Sequence, residues 1–434
     1  MPRLSDILGL NARSADYLLL NLKSARRRAD DKLLTKKMLK KAGVAHPRLL
    51  GAIDNAKEAR LFKWNKLKDG FAIKPVQGFG GQGIVLIKKM TKESGVFLTV
   101  DDKKAFAEDL VLHSMDIAEG KYSHNNLPDK VMIEERIKIH PKFKKLAVGG
   151  APDVRVIVYN NIPVMAMLRL PTEESMGKAN LHQGAIGLGI DIATGITTHG
   201  VYKNRSVKFF PDTNIKVNGI TIPYWNKILR MAVETQLISK LNYLSVDMLI
   251  DEEKGPVVLE LNDQPGLSIQ IANMAGLRRR LERVEGLEVE EAEKGVKIGK
   301  ALFASKFANR VRFLGEEKPV VGIFEKIKVR NGKKKMVELN AKIDTGARSS
   351  SIDYALALEL GLLTPENVLW TKKVKNSLGI EERTLIALTV KLKGRMIKTR
   401  ANVTDRNNLR RQLLIGRRDL RDFVVDPGLI KIRK

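Results

Sequence analysis

Two groups of residues in this 434-residue chain have the types and spacing to do chemistry. The first is Lys74 with the glycines Gly78, Gly80, Gly81 and Gly83. Glycine permits backbone angles and close approaches that a Cβ would block. The run Gly78–Gly83, with Gln82 inside it, can therefore turn its N–H groups onto a polyphosphate while Lys74 adds positive charge. The second group is Asp247, Glu260 and Asn262. Glu260 and Asn262 are two apart on a strand pattern and share a face. A turn at Asp251–Gly255 brings Asp247 opposite Glu260. Three oxygen ligands on one face suit Mg²⁺, which takes one or two carboxylates together with phosphate oxygens and water. A solvated polar face is the competing reading. It leaves the apolar neighbours Val257, Val258, Leu259 and Leu261 unexplained, because a carboxylate in such a strand is costly unless paired or metal-bound.

The elements around these residues narrow the choice. Phe71–Lys74 and Ile84–Ile87 read as short buried strands flanking the glycine loop. Gly78, Gly80 and Gly83 match G-x-G-x-x-G, but a dinucleotide fold requires a helix next, and strand-like residues follow. A protein kinase carries its lysine on the strand after the loop, whereas Lys74 precedes it. No Lys-Ser/Thr follows Gly83, which excludes a Walker A loop. A mobile hairpin closing over nucleotide phosphates is left, with a plain glycine-rich surface hairpin as its alternative. Upstream, residues 1–30 read as helical and basic, and Asp30-Asp31-Lys32 opens a helix that Gly43 stops. Residues 101–120 read as a further helix. Val131–Pro141 reads as a strand whose edge could pair with an adenine through backbone groups, with Glu134 and Glu135 beside it. Residues 151–170 read as two strands turning at Asn160-Asn161. They carry Asp153, Arg155 and Arg169, and an arginine facing a phosphate or carboxylate has bidentate geometry to use. A solvated edge is the other reading of such arginines, and His182 reads as structural.

Length predicts two or three domains. The composition, 43% hydrophobic and 29% charged, is that of a globular protein. No apolar run is long enough to span a bilayer, and Met1–Asp16 lacks the core of a secretory signal. The absence of cysteine excludes disulfides, thiolate zinc sites and cysteine nucleophiles, and fits a cytoplasmic chain. The net charge of +29 raises a nucleic-acid reading. Residues 319–434 hold 26 Lys+Arg against 12 Asp+Glu and so form the denser positive surface. They lack the interleaved aromatics of a base-stacking platform. From Val320 onward the texture changes to short strands, with Asn331-Gly332 as a hairpin turn. Asp344-Thr345-Gly346-Ala347 and Leu414-Ile415-Gly416-Arg417 follow. The last histidine is His199, so a histidine zinc site is excluded from this region.

Taken in order, the motifs LGLNAR with Tyr17 and Asn21, DDKLLTK, AIKPVQGFGGQGI, MIEERI, DVRV, NLHQGA, SVDML and VLELNDQPGLSIQ make residues 1–275 resemble the ATP-grasp ligases. The resemblance is to the alpha-L-glutamate ligase-like branch, related to the enzyme that glutamylates ribosomal protein S6. It implies an α+β ATP-grasp fold, ATP with Mg²⁺ (or Mn²⁺), and an acyl-phosphate route from a carboxylate to an amide. It implies that Lys32 and Lys74 bind nucleotide, that Gly78–Gly83 is the phosphate loop, and that Glu134, Glu135 and Ile137 form the adenine hinge. Asp247, Glu260 and Asn262 would be the metal ligands, and Arg155 and Arg169 the phosphate and transition-state contacts. The α/β domain that usually precedes such a ligase is not expected in the thirty residues before Asp31. Residues 320–430 resemble a small all-β retropepsin-like barrel of the type labelled a putative ATP-dependent zinc protease, with Asp344 as its active-site aspartate. An aspartic protease needs two carboxylates sharing a proton, so one such motif implies a homodimer. The expected division is a helical segment 1–30, an ATP-grasp domain 31–275, a charged helical linker 276–318 and the barrel 319–434. The expected partners are ATP and amino-acid or peptide substrates, and no membrane. The alternatives are a nucleotide-regulated aspartic peptidase and a basic nucleic-acid-associated protein.

Overall fold

Short apolar strands on either side of the glycine loop form an antiparallel sheet in the computed structural model, which describes residues 3–429 apart from 79, 124, 125, 212, 305–317, 377, 378, 407, 408 and 410, with the backbone alone for 372–383. This sheet contains β1 (Leu49–Ile53), β2 (Phe71–Pro75), β3 (Val85–Met90), β4 (Val96–Thr99), β5 (Lys104–Phe106) and β6 (Val131–Glu135), in the order β1-β6-β2-β3-β4-β5. Its core is built from Ile53, Trp64, Phe71, Ile73, Ile87, Phe97, Leu110, Ile117, Val131 and Ile133. The helix Ala107–Ala118 contributes Leu110 and Ile117 to that core, close to the helix expected over 101–120.

A second antiparallel sheet follows. It comprises β7 (Asp153–Tyr159), β8 (Ile162–Leu170), β9 (Ile186–Ile190), β10 (Thr197–Tyr202), β11 (Arg205–Val207), β12 (Tyr243–Asp251) and β13 (Gly255–Asn262), in the order β11-β10-β9-β8-β7-β12-β13. β7, β9 and β13 are too apolar to face water on one side, and all seven residues of β7 are buried. The helix Trp225–Ser239 lies on the sheet with Ile228, Leu229, Ala232 and Val233 buried. Gly189 lets the helix Ile269–Asn273 approach closely, since a Cβ there would stand 2.1 Å from the Ala272 carbonyl oxygen.

The chain divides into two compact units, Met1–Val296 and Lys297–Lys434. Residues 1–30 are not a separate segment but part of the first unit. The Asn21 carboxamide bonds the backbone of Asn242 and Tyr243 at 2.7–3.0 Å, and Tyr17 packs its ring against Tyr159 and Tyr243. The Gln270 carboxamide bonds both the N–H and the carbonyl of Leu8. The start of the expected linker also belongs to this unit. Leu277 and Leu281, one helical turn apart, are fully buried in the helix Leu277–Glu282. The helix Ala292–Phe303 lies further along that linker, and residues 305–317 of the linker lie outside the described residues.

In the second unit, β14 (Val320–Val321) and β22 (Val424–Val425) pair in parallel. The others are β15 (Phe324–Arg330), β16 (Met336–Asp344), β17 (Ser350–Asp353), β18 (Val368–Asn376), β19 (Gly379–Leu392), β20 (Arg395–Thr404) and β21 (Leu413–Gly416). The order β15-β16-β21-β17-β20-β19 closes through a β15–β19 pairing into a six-stranded barrel, with β18 attached outside. The fold class expected from sequence, α+β followed by a small all-β barrel, is the one observed.

Candidate active site

The glycine loop joins β2 to β3, which pair in register from Phe71↔Ile87 to Ile73↔Val85. Gly80, Gly81 and Gly83 all take positive φ, at 62°, 73° and 71°, a region costly to residues with a Cβ. The loop's carbonyls are held from outside. Lys32 Nζ donates to Val76 O and Gly78 O at 2.9 and 3.0 Å. Gln183 Nε2 donates to Gly80 O at 3.1 Å, and His113 Nε2 meets Gly83 O at 2.9 Å. Among the described residues, the N–H groups of Gly80, Gly81, Gln82 and Gly83 have no hydrogen-bond partner. Positive-φ glycines with anchored carbonyls allow a loop to turn N–H groups onto phosphate oxygens. Lys32 is thus a strut of the loop, placed at the first turn of the helix Lys32–Lys41 that Asp31 caps.

A cavity of about 270 Å³ is lined from both sheets. Ala72, Lys74 and Leu86 face it from the first sheet, Leu249 from the second, Ile137 from the segment after β6 and Gly149–Ala151 from the segment before β7. Apolar walls meeting a lysine at one side suit a purine ring with its phosphates leading to the loop. The expected edge strand is not an edge. β6 is bonded on one side to β1 and on the other to β2, so it offers an adenine only the segment that follows it. There the Arg136 N–H bonds Gly70 O, whereas the Ile137 N–H has no partner among the described residues.

Glu134 lines the cavity beside Glu135 and Ile137, but its carboxylate is already paired. Its side chain is 2% exposed and lies between two ammonium groups. Lys36 Nζ is 2.5 Å from Oε2, and Lys74 Nζ bonds Oε1. Burial alone would raise the carboxyl, but Lys74 and Lys36 together hold it below the ordinary carboxylate range. Burial pulls Lys36 below its usual range against the attraction of Glu134. Glu135 is likewise paired, with Lys254 Nζ at 2.6 Å and the Arg48 N–H at 2.9 Å. Lys36 was not singled out from the sequence. Its signal was a lysine at a buried position of an amphipathic helix, between Thr35 and Leu39.

On the acidic hairpin, Asp247 does stand opposite Glu260. The register then slips, with Met248 opposite Val258 and Leu259 as the extra residue. Such a bulge re-aims side chains, and Glu260 and Asn262 emerge half-buried on one face. Asp247 does not join them as an accessible ligand. It is fully buried, gripped by Arg155 Nε and Nη2 at 2.7 and 2.6 Å and by Arg169 Nη2 at 2.7 Å. Arg169 also clasps Asp153 with two bonds of 2.6 Å. The two arginines expected on phosphate therefore have carboxylate partners instead, because β7, β8 and β12 bring Asp153, Arg155, Arg169 and Asp247 to one point of the sheet. Burial opposes the charge on Asp247, but Arg155 and Arg169 hold its carboxyl at about 2. Burial prevails at Asp153, which rises to about 6.

A Mg²⁺ ion fits this arrangement through Glu260 and Asn262, since one carboxylate plus phosphate oxygens and water satisfies it. Among the described residues no cluster of three or more His, Cys, Asp or Glu side chains could hold a metal by itself. Arg13 and Arg26 fix the turn after Asn262. Arg13 Nη1 donates to Gln264 O and Pro265 O, and Arg26 Nε bonds Asp263 at 2.7 Å. A second, open cavity beside the loop is lined by Lys178, His182, Gln183 and Lys203.

In the barrel, Asp344 ends β16 and pairs with Gly416 at the end of β21. Its Oδ1 accepts from the N–H groups of Gly346 and Ala347 at 3.0 Å, and Lys342 Nζ lies 3.3 Å from Oδ2. The Ala347 N–H, and then Lys342, hold this carboxyl below the ordinary range despite some burial. Among the described residues it shares no hydrogen bond with a second carboxylate.

Residues 12–286 match the family described as sugar-transfer associated ATP-grasp, and residues 362–434 match that described as retropepsin-like aspartic endopeptidase RimB. No curated protein matches the chain. Among solved structures, the ATP-grasp ligase PsnB, complexed with a minimal precursor, is 16% identical with a TM-score of 0.34 over 60% of this chain and 61% of its own. D-alanine–D-alanine ligase from Bacillus anthracis, complexed with ATP, is 15% identical with a TM-score of 0.33 over 58% and 64%. The protein Lpg0085 from Legionella pneumophila is 21% identical with a TM-score of 0.18 over 26% of this chain and 96% of its own. The chain thus spans about three fifths of the ligase structures it matches.

Proposed function

Because the chain belongs to the sugar-transfer associated ATP-grasp family, we propose that its first unit is an ATP-dependent ligase joining a carboxylate to an amine. The observation that carries this reading is the positive-φ glycine loop, its carbonyls anchored by Lys32, Gln183 and His113, following the strand whose Lys74 lines a cavity together with Leu249 of the second sheet. The purine would occupy the cavity against Ala72, Leu86 and Ile137, and the phosphates would lie under Gly80–Gly83 beside Lys74. Glu260 and Asn262 would hold Mg²⁺, which neutralises phosphate charge when bound. The γ-phosphoryl group passes to a carboxylate oxygen with release of ADP. An amine then attacks the acyl carbon, phosphate leaves with the electron pair of the acyl carbon–O(P) bond, and the amine proton goes to solvent. Positioning and charge stabilisation supply the catalysis in such a transfer, and no covalent nucleophile is required.

The second cavity, beside the loop, would take the acceptor. Lys178 and His182 there suit a carboxylate, glutamate or a peptide terminus being the first candidates. Arg155 and Arg169 act through Asp247, which they fix behind Glu260. The test is ADP release with a panel of amino acids, peptides and uronic acids. Glu260→Ala is expected to lower turnover about a hundredfold or more. No ADP with any carboxylate–amine pair would overturn the assignment.

The Asp344-Thr345-Gly346 loop beside Gly416 favours a second activity, an aspartic peptidase in the second unit. Asp344 supplies one carboxylate and a second copy of the chain would supply the other. Peptide cleavage abolished by Asp344→Asn, and kept in Lys74→Ala, would support it.

A further inference from the structure

We infer that Lys36 is a positioning residue of the nucleotide site: it neutralises Glu134 from behind, so that Lys74 presents a full positive charge to the phosphates. This rests on the ATP-binding reading above. Glu134 is 2% exposed, Lys36 4% and Lys74 12%. Lys74 and Glu134 both line the cavity, whereas Lys36 does not line it and donates to Pro47 O at 2.7 Å. One carboxylate between two ammonium groups leaves a net charge of one, and geometry places that charge on the cavity side. Without Lys36 the cluster would be neutral, and the bond between Lys74 and Glu134 would compete directly with phosphate. Charges act over such distances with little screening when buried.

A merely structural role for Lys36 predicts something different. Losing it would disturb the helix Lys32–Lys41 and the cavity wall together, so adenosine and ATP would suffer alike. A charge role makes the loss grow with the number of phosphates, and it can be repaired by removing the carboxylate that Lys36 balances.

The experiment measures the binding of ATP, ADP and adenosine to the full-length wild-type chain, Lys36→Met, Glu134→Gln and the double variant. Lys36→Met is expected to weaken ATP about tenfold, ADP less, and adenosine less than twofold. Lys36→Met/Glu134→Gln is expected to recover ATP affinity to within about threefold of wild type, because its charge returns to one. If Lys36→Met does not fold, the double variant is compared with Glu134→Gln, and the double variant is expected to show the same phosphate-dependent weakening relative to it. Equal losses for ATP and adenosine, or no recovery in the double variant, would overturn the inference and leave the ligase reading standing. A wild-type chain that binds none of the three nucleotides would overturn both.

Discussion

Asp247 shows how a residue can be correctly placed and still have an unexpected partner. Its position opposite Glu260 follows from strand alternation, but its environment depends on β7 and β8, which no local pattern connects to it. Both its oxygens are engaged by arginines. Its carboxyl is held at about 2, below the ordinary aspartate value. A folded value below the unfolded one means that the ionised carboxylate stabilises the fold above about pH 4 and that this contribution fades as pH falls towards 2. We expect Asp247→Asn to cost about 3 kcal/mol at pH 7, since it leaves Arg155 buried with half its pairing. That deficit should shrink as acid unfolding is followed down to pH 2. A constant deficit across that range would exclude the ion pair as its source. Glu134 makes a similar case: its sequence position beside the hinge was legible, but the two lysines that enclose it come from separate elements.

The glycine hairpin was legible as an element, because alternating apolar residues and clustered glycines specify strand–loop–strand locally. What tertiary contact adds is the direction of the loop's polar groups. Lys32, Gln183 and His113 come from three other segments to hold its carbonyls. Gly83 is constrained twice, by a φ of 71° and by Tyr122, whose ring would lie 2.7 Å from an added Cβ. Gly83→Ala should therefore cost about 1–2 kcal/mol of stability and raise the KM for ATP about tenfold or more. Gly9 has open space around its Cβ position, and Gly9→Ala should stay within about 0.5 kcal/mol of wild type. Thermal melts and ATP-dependent kinetics of the two variants check the contrast. The bulge at Leu259 had no sequence signal beyond the apolar neighbours of Glu260, since its extra residue is defined only by pairing with β12.

Met1–Val296 and Lys297–Lys434 each carry a core of their own, the second built from residues such as Ile327, Val329, Ile343, Ile352, Val390 and Ile415. The two chemistries proposed here use disjoint residues. Asp344→Asn is accordingly expected to leave ATP turnover within about twofold of wild type, and Glu260→Ala to leave any peptide cleavage unchanged. A large fall in ADP release for Asp344→Asn would mean that the units are coupled. The positive charge of residues 319–434 remains without a nucleic-acid motif beside it. Among the described residues no helix is long and apolar enough to cross a membrane.

Order along the chain was enough to determine the fold class, the two-part organisation and the glycine and acidic hairpins, because strand periodicity, turn chemistry and motif order are local properties. The boundaries at 30 and 275 were not determined that way. Leu8, Tyr17, Asn21, Leu277 and Leu281 read as polar-flanked helix residues until their distant partners bury them. Only the folded arrangement decided which charges meet. A lysine or arginine carries the same charge whether it faces phosphate, a carbonyl or a carboxylate, and pairings 60 to 92 residues apart are set by sheet order rather than by spacing.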